Sequence, residues 1–309
     1  MSGLSKALYV LEMTKPAQLA LLAFTAYASY FAGGGPLSPL RLGLLAVVSI
    51  GSIGGVTALN MVLEADLDSL MARTSRRPVP SGRLSFREAL AGAVALTLVG
   101  FVAAALLNWV VLLTCVLALI FDIPLYTMLL KRRSPASILV GGVAGVMPTL
   151  GGWAAATGGI GLPAILLALA VFSWIPMHIW FIVYYYLDDY RKAGIPMYPV
   201  VAPPKKVARA VVAFLAIMLA SMWGYWVVTG KGLVGDLVLT PLTVWAIKSV
   251  LAYPVRMGRE EARRVFMSAN PALVVAFLGA PFTAPHVAAL HLMASWTLRA
   301  GASLAPLPS

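Results

Sequence analysis

The sequence predicts an all-α polytopic membrane protein, with about nine transmembrane helices around a central cavity and a cytoplasmic N-terminus. Three observations predict this fold class: the composition, the length of the apolar runs, and the placement of lysine and arginine. The chain of 309 residues is 61% hydrophobic and only 11% charged, with a mean hydropathy of +0.89. Soluble domains are charged at about a quarter of their residues. The composition therefore excludes an ordinary soluble domain.

The apolar runs are continuous and recur along the whole chain. Each is about 20 residues long, enough for a helix to cross roughly 30 Å of hydrocarbon. Transmembrane strands would alternate apolar and polar residues, and these runs do not alternate. Because lipid cannot satisfy unpaired backbone groups, helices are the remaining solution. The predicted spans cover residues 16–32, 42–63, 86–107, 109–130, 137–157, 163–187, 207–229, 234–253 and 270–293.

The basic residues predict the direction of these spans. Lysine and arginine concentrate before the first span and in every second loop, whereas the alternate loops, such as GGGPLSPL and TGGIG, are almost uncharged. This asymmetry follows the positive-inside rule and places the N-terminus in the cytoplasm and the C-terminus outside. Topology therefore explains the net charge of +12, and no nucleic-acid partner is expected.

Nothing in the sequence divides the chain into parts. No long linker rich in proline, glycine or serine occurs, so residues 1–309 are predicted to form a single transmembrane domain. No cleavable signal peptide is expected, because no small-residue cleavage site separates Lys6 from the first span. The single cysteine, Cys115, lies within an apolar run, which excludes an internal disulfide and argues against redox chemistry.

Acidic residues are rare, with eleven in the chain, yet three lie together at the end of span 2. Asn60, Glu64 and Asp68 are spaced to share one helix face, whereas Asp66 points elsewhere unless the helix unwinds. Carboxylates this close repel one another unless cations compensate. Either the following arginines or Mg²⁺, which binds carboxylates together with substrate phosphates, can do so. The pattern predicts a diphosphate and magnesium site, or else a helix end anchored in the headgroups.

A second acidic pair, Asp188 and Asp189, ends span 6 on the same membrane face. His178 shares a helix face with Asp189 and lies about 16 Å deeper along the axis. Because a histidine at that depth is costly against lipid, we expect it to face the cavity or a neighbouring helix. The same reasoning turns Asp122, one turn from Tyr126 in span 4, toward the interior.

Six motifs follow one another along the chain, and the first two overlap. Asn60, Glu64 and Asp68 form an N-x-x-x-E-x-x-x-D pattern, and residues 66–78 read DLDSLMARTSRRP. Further on come YTMLLKRR, GGVAGVMPTLGGW, WIPMHIW and DDYRKAGIPMYPVV. In this order they resemble the motifs of UbiA-type intramembrane prenyltransferases, and within that superfamily those of the protoheme IX farnesyltransferases, or heme O synthases. Glutamate replaces the aspartate usual at the second position of the first motif.

The resemblance implies an enzyme that transfers a farnesyl or longer prenyl group from its diphosphate to a vinyl group of protoheme IX, giving heme O and diphosphate. It implies Mg²⁺ as the cofactor, with heme as a substrate. The implied catalytic and metal-binding residues are Asn60, Glu64, Asp68 and Asp189. The implied substrate-binding residues are Lys15, Asp66, Arg73, Arg77, Asp122, Tyr126, Lys131, His178 and Asp188.

The resemblance also implies a location and partners. The active site is expected to open toward the cytoplasm in the cell membrane, and heme A synthase or a terminal oxidase assembly is a candidate partner. Two other functions stay open: a UbiA-type prenyltransferase acting on an aromatic quinone precursor, and a secondary transporter that uses the acids for ion coupling. Transporter sites usually lie near the midplane, whereas these carboxylates lie at one interface.

Overall fold

The computed structural model describes residues 3–230 and Pro241 of the chain. These residues form helices joined by turns, and no strand occurs among them. The helices, labelled here in chain order, are α1 (Gly3–Met13), α2 (Pro16–Ala32), α3 (Pro39–Leu63), α4 (Ala65–Leu70), α5 (Phe86–Leu107), α6 (Trp109–Leu130), α7 (Ser137–Thr157), α8 (Leu162–Tyr185), α9 (Leu187–Lys192), α10 (Tyr198–Val201) and α11 (Pro204–Val228).

The predicted all-α polytopic membrane fold is confirmed. Six of the described helices (α3, α5, α6, α7, α8 and α11) are long and apolar enough to cross a bilayer, judged by length and composition. Helix α2, of 17 residues, has the bounds of the first predicted span and the shortest length that can cross. The predicted spans 234–253 and 270–293 lie outside the described residues, so the total of nine stays a prediction.

Helix starts follow local capping chemistry. Ser38 accepts a hydrogen bond from the Arg41 backbone N–H at the start of α3. At the start of α5, Ser85 and Glu88 form a reciprocal capping box. The Asn108 side chain caps α6 and also donates to the Ala154 carbonyl oxygen of α7. The short link between α5 and α6 therefore also fixes the position of α7.

Among the described helices, α7 packs against α2, α6 and α8. A Cβ built on Gly152 would lie 1.9 Å from the Ala26 carbonyl oxygen of α2, so only glycine permits this approach. A Cβ on Gly51 of α3 would similarly lie 2.5 Å from the Gly100 backbone nitrogen of α5. Small residues at such crossings let membrane helices pack by direct backbone contact.

Two helices contain π-helical segments, Ser49–Gly54 within α3 and Phe121–Leu130 at the end of α6. Pro124 lacks a backbone N–H and lies inside the second segment, where the Thr127 hydroxyl donates to the Asp122 carbonyl oxygen at 2.7 Å. A π segment changes which side chains share a helix face, and such segments frequently occur at functional sites. Both helices line the cavity described next.

Candidate active site

A cavity of about 710 Å³ lies between α2, α3, α6, α7 and α8. One end is charged, and the rest is lined mainly by apolar side chains. The charged end brings together residues from several parts of the chain: Lys15, Glu64, Asp68, Arg73, Arg77 and Lys131. This combination can hold a charged group at one end and an oily group at the other.

Glu64 forms the first of two buried ion pairs in the charged end. Its Oε2 atom accepts from the Lys131 ammonium at 2.5 Å, and the two side chains are 4% and 13% exposed. Its other oxygen, Oε1, is buried and has no hydrogen-bond partner within the described part of the chain. Asn60, one turn earlier, donates from Nδ2 to the Thr127 hydroxyl at 2.7 Å. Glu64 therefore keeps one carboxylate oxygen available for a ligand.

Asp68 forms the second buried pair, with Arg77 from the following loop. The Arg77 Nη1 group donates to both carboxylate oxygens, at 2.8 and 2.6 Å. Asp68 is 2% exposed, and the Thr74 hydroxyl donates to its backbone carbonyl oxygen at 2.9 Å. The loop residues of the RTSRRP motif thus close back onto the acid that precedes them. The predicted shared face of Asn60, Glu64 and Asp68 persists, although a helix boundary falls at Glu64.

Burial and neighbouring charges shift the pKa values of two lysines at the charged end of the cavity. Burial and the positive charge of Arg77 lower the pKa of Lys15 to about 8. Lys15 also has a φ of 51°, a left-handed conformation that is uncommon for a residue with a side chain. For Lys131, burial acts to lower the pKa, but the adjacent Glu64 carboxylate outweighs it and raises the pKa overall. Lys131 therefore stays charged, whereas Lys15 loses its proton as pH rises through about 8.

The other side chains predicted to face the interior do so. Asp122, Tyr126 and His178 all line the cavity. The Lys131 ammonium lies 5.3 Å from the Tyr126 ring centroid, within the range of a cation–π contact. The His178 ring stacks on Trp174, with centroids 4.2 Å apart. Both rings of this stacked pair belong to α8 and line the cavity.

Three predicted residues are not part of the cavity lining: Asp66, Asp188 and Asp189. Asp66 is exposed and binds Arg132 through two hydrogen bonds of 2.7 Å. Asp188 is exposed and lies 3.9 Å from Arg191 of the same helix. Asp189 is half-buried next to Tyr190, which does line the cavity. Within the described residues, no group of three or more acidic, histidine or cysteine side chains could hold a metal ion.

The sequence analysis missed some contributors to the site. Thr127 joins Asn60 to the π segment of α6, and Arg132 holds Asp66 away from the cavity. Both residues lie inside the quoted YTMLLKRR motif. Arg73 lines the cavity and also lies 4.9 Å from the Tyr186 ring centroid, linking the loop after α4 to the end of α8. The motifs predicted which segments contribute to the site. The partners of these side chains became evident only from the packing of the helices.

Comparison with known proteins gives consistent findings. Residues 21–270 match the model of the family described as the UbiA prenyltransferase family. A curated protoheme IX farnesyltransferase of Aeropyrum pernix is 44% identical over 280 residues, which cover 91% of this chain and 93% of that relative. This relative therefore matches nearly the whole chain.

Two solved structures share the fold. One, reported for digeranylgeranylglyceryl phosphate synthase, aligns with a TM-score of 0.75 and 17% identity, covering 90% of this chain and 98% of its own. The other, a UbiA homologue from Archaeoglobus fulgidus bound to GPP and Mg²⁺, aligns with a TM-score of 0.66 and 16% identity, covering 88% and 99%. At these identities the likeness concerns the fold alone.

Proposed function

This chain belongs to the UbiA prenyltransferase family, and we propose that it transfers a farnesyl or longer prenyl group from its diphosphate to a vinyl group of protoheme IX, giving heme O. The observation that carries the proposal is a single cavity with two buried acid–base pairs at one end and an apolar interior. A prenyl diphosphate has the same division, with a strongly charged head and an oily chain. The closely related curated farnesyltransferase supports heme as the acceptor.

Arg77 and Lys131 are the side chains that we assign to the diphosphate. Both are charged, both line the cavity, and each is held by one carboxylate. Guanidinium and ammonium groups donate strong hydrogen bonds to phosphate oxygens. Lys15 and Arg73 lie at the same end of the cavity and add to this positive field. Together they stabilise the negative charge that develops on the diphosphate as it departs.

Asn60, Glu64 and Asp68 are the residues that would hold magnesium. Magnesium commonly takes only one or two protein carboxylates together with substrate phosphates, so a cluster of three acids is not required. The buried Oε1 atom of Glu64, which has no hydrogen-bond partner among the described residues, fits such a ligand. When bound, the metal would neutralise charge on the leaving diphosphate. Asp189 is also predicted to bind the metal. To do so, its side chain would have to move toward the cavity from its half-buried position beside Tyr190.

The apolar part of the cavity keeps water away from the reacting allylic carbon. As the allylic carbon–oxygen bond breaks, its electron pair leaves with the diphosphate, and the terminal vinyl carbon of heme forms the new carbon–carbon bond. Water then adds to the vinyl carbon next to the porphyrin and loses a proton, leaving a hydroxyl group. We assign His178, stacked on Trp174, to the porphyrin side of the cavity.

The site opens toward the cytoplasm in this proposal, because the charged end of the cavity lies beside the basic loops. The membrane is the cell membrane, where the oily substrates and product also reside. The product is expected to pass to an enzyme or assembly that uses heme O, with heme A synthase or a terminal oxidase assembly as candidates.

The test is a reconstitution with purified protein. Heme, magnesium and prenyl diphosphates of several lengths are incubated together, and the products are weighed by mass spectrometry. Prenylated heme carrying one added water is expected, and excess chelator should abolish it. If the protein instead prenylates 4-hydroxybenzoate and leaves heme unchanged, the quinone-precursor alternative replaces the proposal.

The role of His178 has a separate optical test. Heme binding should shift the Soret band, and His178→Ala should weaken or alter that shift while leaving diphosphate binding near normal. Ile182→Ala is the matched control, because Ile182 lines the cavity one turn away on the same helix. An unchanged His178→Ala spectrum would remove the histidine from the heme site without affecting the proposed reaction.

A further inference from the structure

Three acids line the cavity in the described part of the chain: Glu64, Asp68 and Asp122. Glu64 and Asp68 each bind a cation, through ion pairs of 2.5 and 2.6 Å. No other described residue forms an ion pair or hydrogen bond with the Asp122 side chain, although its backbone carbonyl oxygen accepts from Thr127. An acid within a membrane-spanning helix is costly and usually has a function. The Asp122 carboxylate can therefore bind a small polar molecule in the cavity.

Contacts between α3 and α6 define three successive levels of the cavity. At the charged end, Glu64 binds Lys131 at 2.5 Å. One turn deeper, Asn60 donates to the Thr127 hydroxyl at 2.7 Å. Asp122 lies one π-helical turn deeper again, where its carbonyl oxygen accepts from that hydroxyl. The Asp122 side chain is therefore about two turns below the cations that we assign to the diphosphate.

Helices α7 and α8 form the opposite wall of the third level. A Cβ built on Gly141 would lie 2.9 Å from the Tyr126 ring, and one built on Gly145 would lie 2.5 Å from the Ile175 side chain. Gly145 is one turn deeper than Gly141, just as Asp122 is one turn deeper than Tyr126. Helix α8 thus reaches the level of Asp122 at Ile175, beside the stacked pair assigned to the porphyrin.

The second half of the proposed reaction takes place at this depth. With the diphosphate at the charged end, the allylic carbon lies below it, and the heme vinyl group approaches from the α8 side. Formation of the carbon–carbon bond leaves a cation on the vinyl carbon next to the porphyrin. Water has to add to this carbon and lose a proton, so the site needs a proton acceptor that faces the cavity.

The other cavity-lining groups are less suited to accept this proton. The two other acids are held by ion pairs with Lys131 and Arg77. A phenol keeps its proton at neutral pH, which excludes Tyr126. The imidazole of the stacked pair is assigned to the porphyrin. The departed diphosphate lies about two turns away, among cations that lower the basicity of its oxygens.

We propose that Asp122 is the general base for the water that adds to the vinyl group. This inference rests on the proposed function. An electron pair of the water oxygen forms the new bond to the vinyl carbon next to the porphyrin. One O–H bond of that water breaks, its electrons stay on the oxygen, and the proton goes to the Asp122 carboxylate. A positioned carboxylate speeds such a transfer by about a hundredfold or more.

The composition of the product reports whether the base is present. Without a base, the cation loses a proton from the neighbouring methylene carbon to the diphosphate, and the product is lighter by one water. Asp122→Asn keeps the size of the side chain but cannot take a proton. The ratio of hydrated to dehydrated product should fall about a hundredfold in this variant, while heme is still prenylated. Asp122→Glu retains a carboxylate and should retain the hydrated product.

Mass spectrometry measures both products in one sample, so partial loss of folded protein cancels from the ratio. The matched control is Glu12→Gln, the same change of acid to amide at a position outside the cavity lining. Glu12 is 46% exposed and binds Arg83 at 2.9 Å. The control should keep the wild-type ratio of the two products.

Each other outcome has a definite meaning. If Asp122→Asn prenylates heme with the wild-type ratio, the inference is wrong and the proposed function stands. If folded Asp122→Asn forms neither product, Asp122 acts before the water step, and the inference is again wrong. If the wild-type protein prenylates no heme, the proposed function fails and the inference fails with it.

A second variant separates the loss of the base from the loss of the side chain's shape. Asp122→Ala leaves a space beside the cavity that formate can enter, and formate supplies the missing carboxylate. Added formate should raise the hydrated fraction severalfold in Asp122→Ala and leave it unchanged in Asp122→Asn, whose amide fills the space. Chloride is the control anion. No recovery with formate, or equal recovery with chloride, would overturn the assignment of Asp122 as the base.

Discussion

Two acids of the first acidic segment, Glu64 and Asp68, line the cavity, whereas neither acid of the second segment, Asp188 and Asp189, does. Glu64 and Asp68 are 4% and 2% exposed, and each binds a cation that comes from another part of the chain. Asp188 is 55% exposed, and Arg191, at 3.9 Å, belongs to its own short helix. The two segments share a charge pattern and differ in burial.

This difference shows what marks the candidate active site. Its acids are buried and form ion pairs with cations from distant parts of the chain, and the number of acids in a short segment matters less. A buried carboxylate is costly unless it is paired and hydrogen-bonded, so its partners must be in place in the folded protein. The Lys131 and Arg77 side chains meet this requirement for the first segment. Asp188 is 55% exposed, so water solvates its charge and its burial cost is small. Four experiments can break or sharpen this contrast.

The largest effect is expected from Glu64→Gln. This change leaves the Lys131 charge, 13% exposed, without its buried partner, and breaking such a pair typically costs about 3–5 kcal/mol of unfolding free energy. Reversible unfolding in detergent measures it, with Asp188→Asn as the control. The double variant Glu64→Gln, Lys131→Met should recover part of the loss. A loss below about 1 kcal/mol for Glu64→Gln would show that the pair is solvated like a surface pair.

Asp68→Asn should have the next largest effect, this time on turnover. Removing a principal electrostatic contributor commonly costs at least about a hundredfold in rate. Heme binding, measured by the Soret shift, should persist because His178 lies on another helix. The matched change Asp189→Asn should cost about tenfold, since its side chain lies outside the cavity lining. Equal losses at the two positions would mean that the second segment reaches the substrate as directly as the first.

The third experiment uses pH to remove the positive charge of Lys15, which lies at the same end of the cavity as the first segment. Its folded pKa is lowered from 10.5 to about 8, so the ammonium form is lost as pH rises through about 8. Diphosphate affinity should then fall about tenfold, as expected for one lost charge-assisted hydrogen bond. Because the charged form is the one that burial penalises, stability should rise between about pH 8 and 10.5. Lys15→Arg stays charged and should bind diphosphate without this pH dependence. If the diphosphate affinity of the wild-type protein and of Lys15→Arg both fell as pH rises through about 8, the loss could not be assigned to Lys15.

The sequence predicted local features of the fold well and long-range pairing poorly. Helix α2 has the predicted bounds because an apolar run between Lys15 and the glycines after Ala32 is a local signal. The shared face of Asn60, Glu64 and Asp68 also follows from spacing alone. The separation of Asp66 from this face depends on Arg132, and the lining of the cavity depends on which glycines of α7 meet α2 and α6. Such contacts join distant parts of the chain, and no local pattern reports them.

The smallest effect is expected at Asp66, the member of the first segment that resembles the second. Hydrogen bonds from Arg132 hold the pKa of Asp66 below its usual 3.8, so its contribution to stability is present at neutral pH and is lost as pH falls through the folded pKa. Since Asp66 and Arg132 are 60% and 44% exposed, Asp66→Asn should cost less than about 1 kcal/mol of unfolding free energy. Salt should reduce even this loss, because exposed pairs are screened.

Unfolding at pH 7 and pH 3, at low and high salt, measures both effects. A salt-insensitive loss as large as that of Glu64→Gln would show that charge density in the segment, and not the burial of individual acids, governs its role.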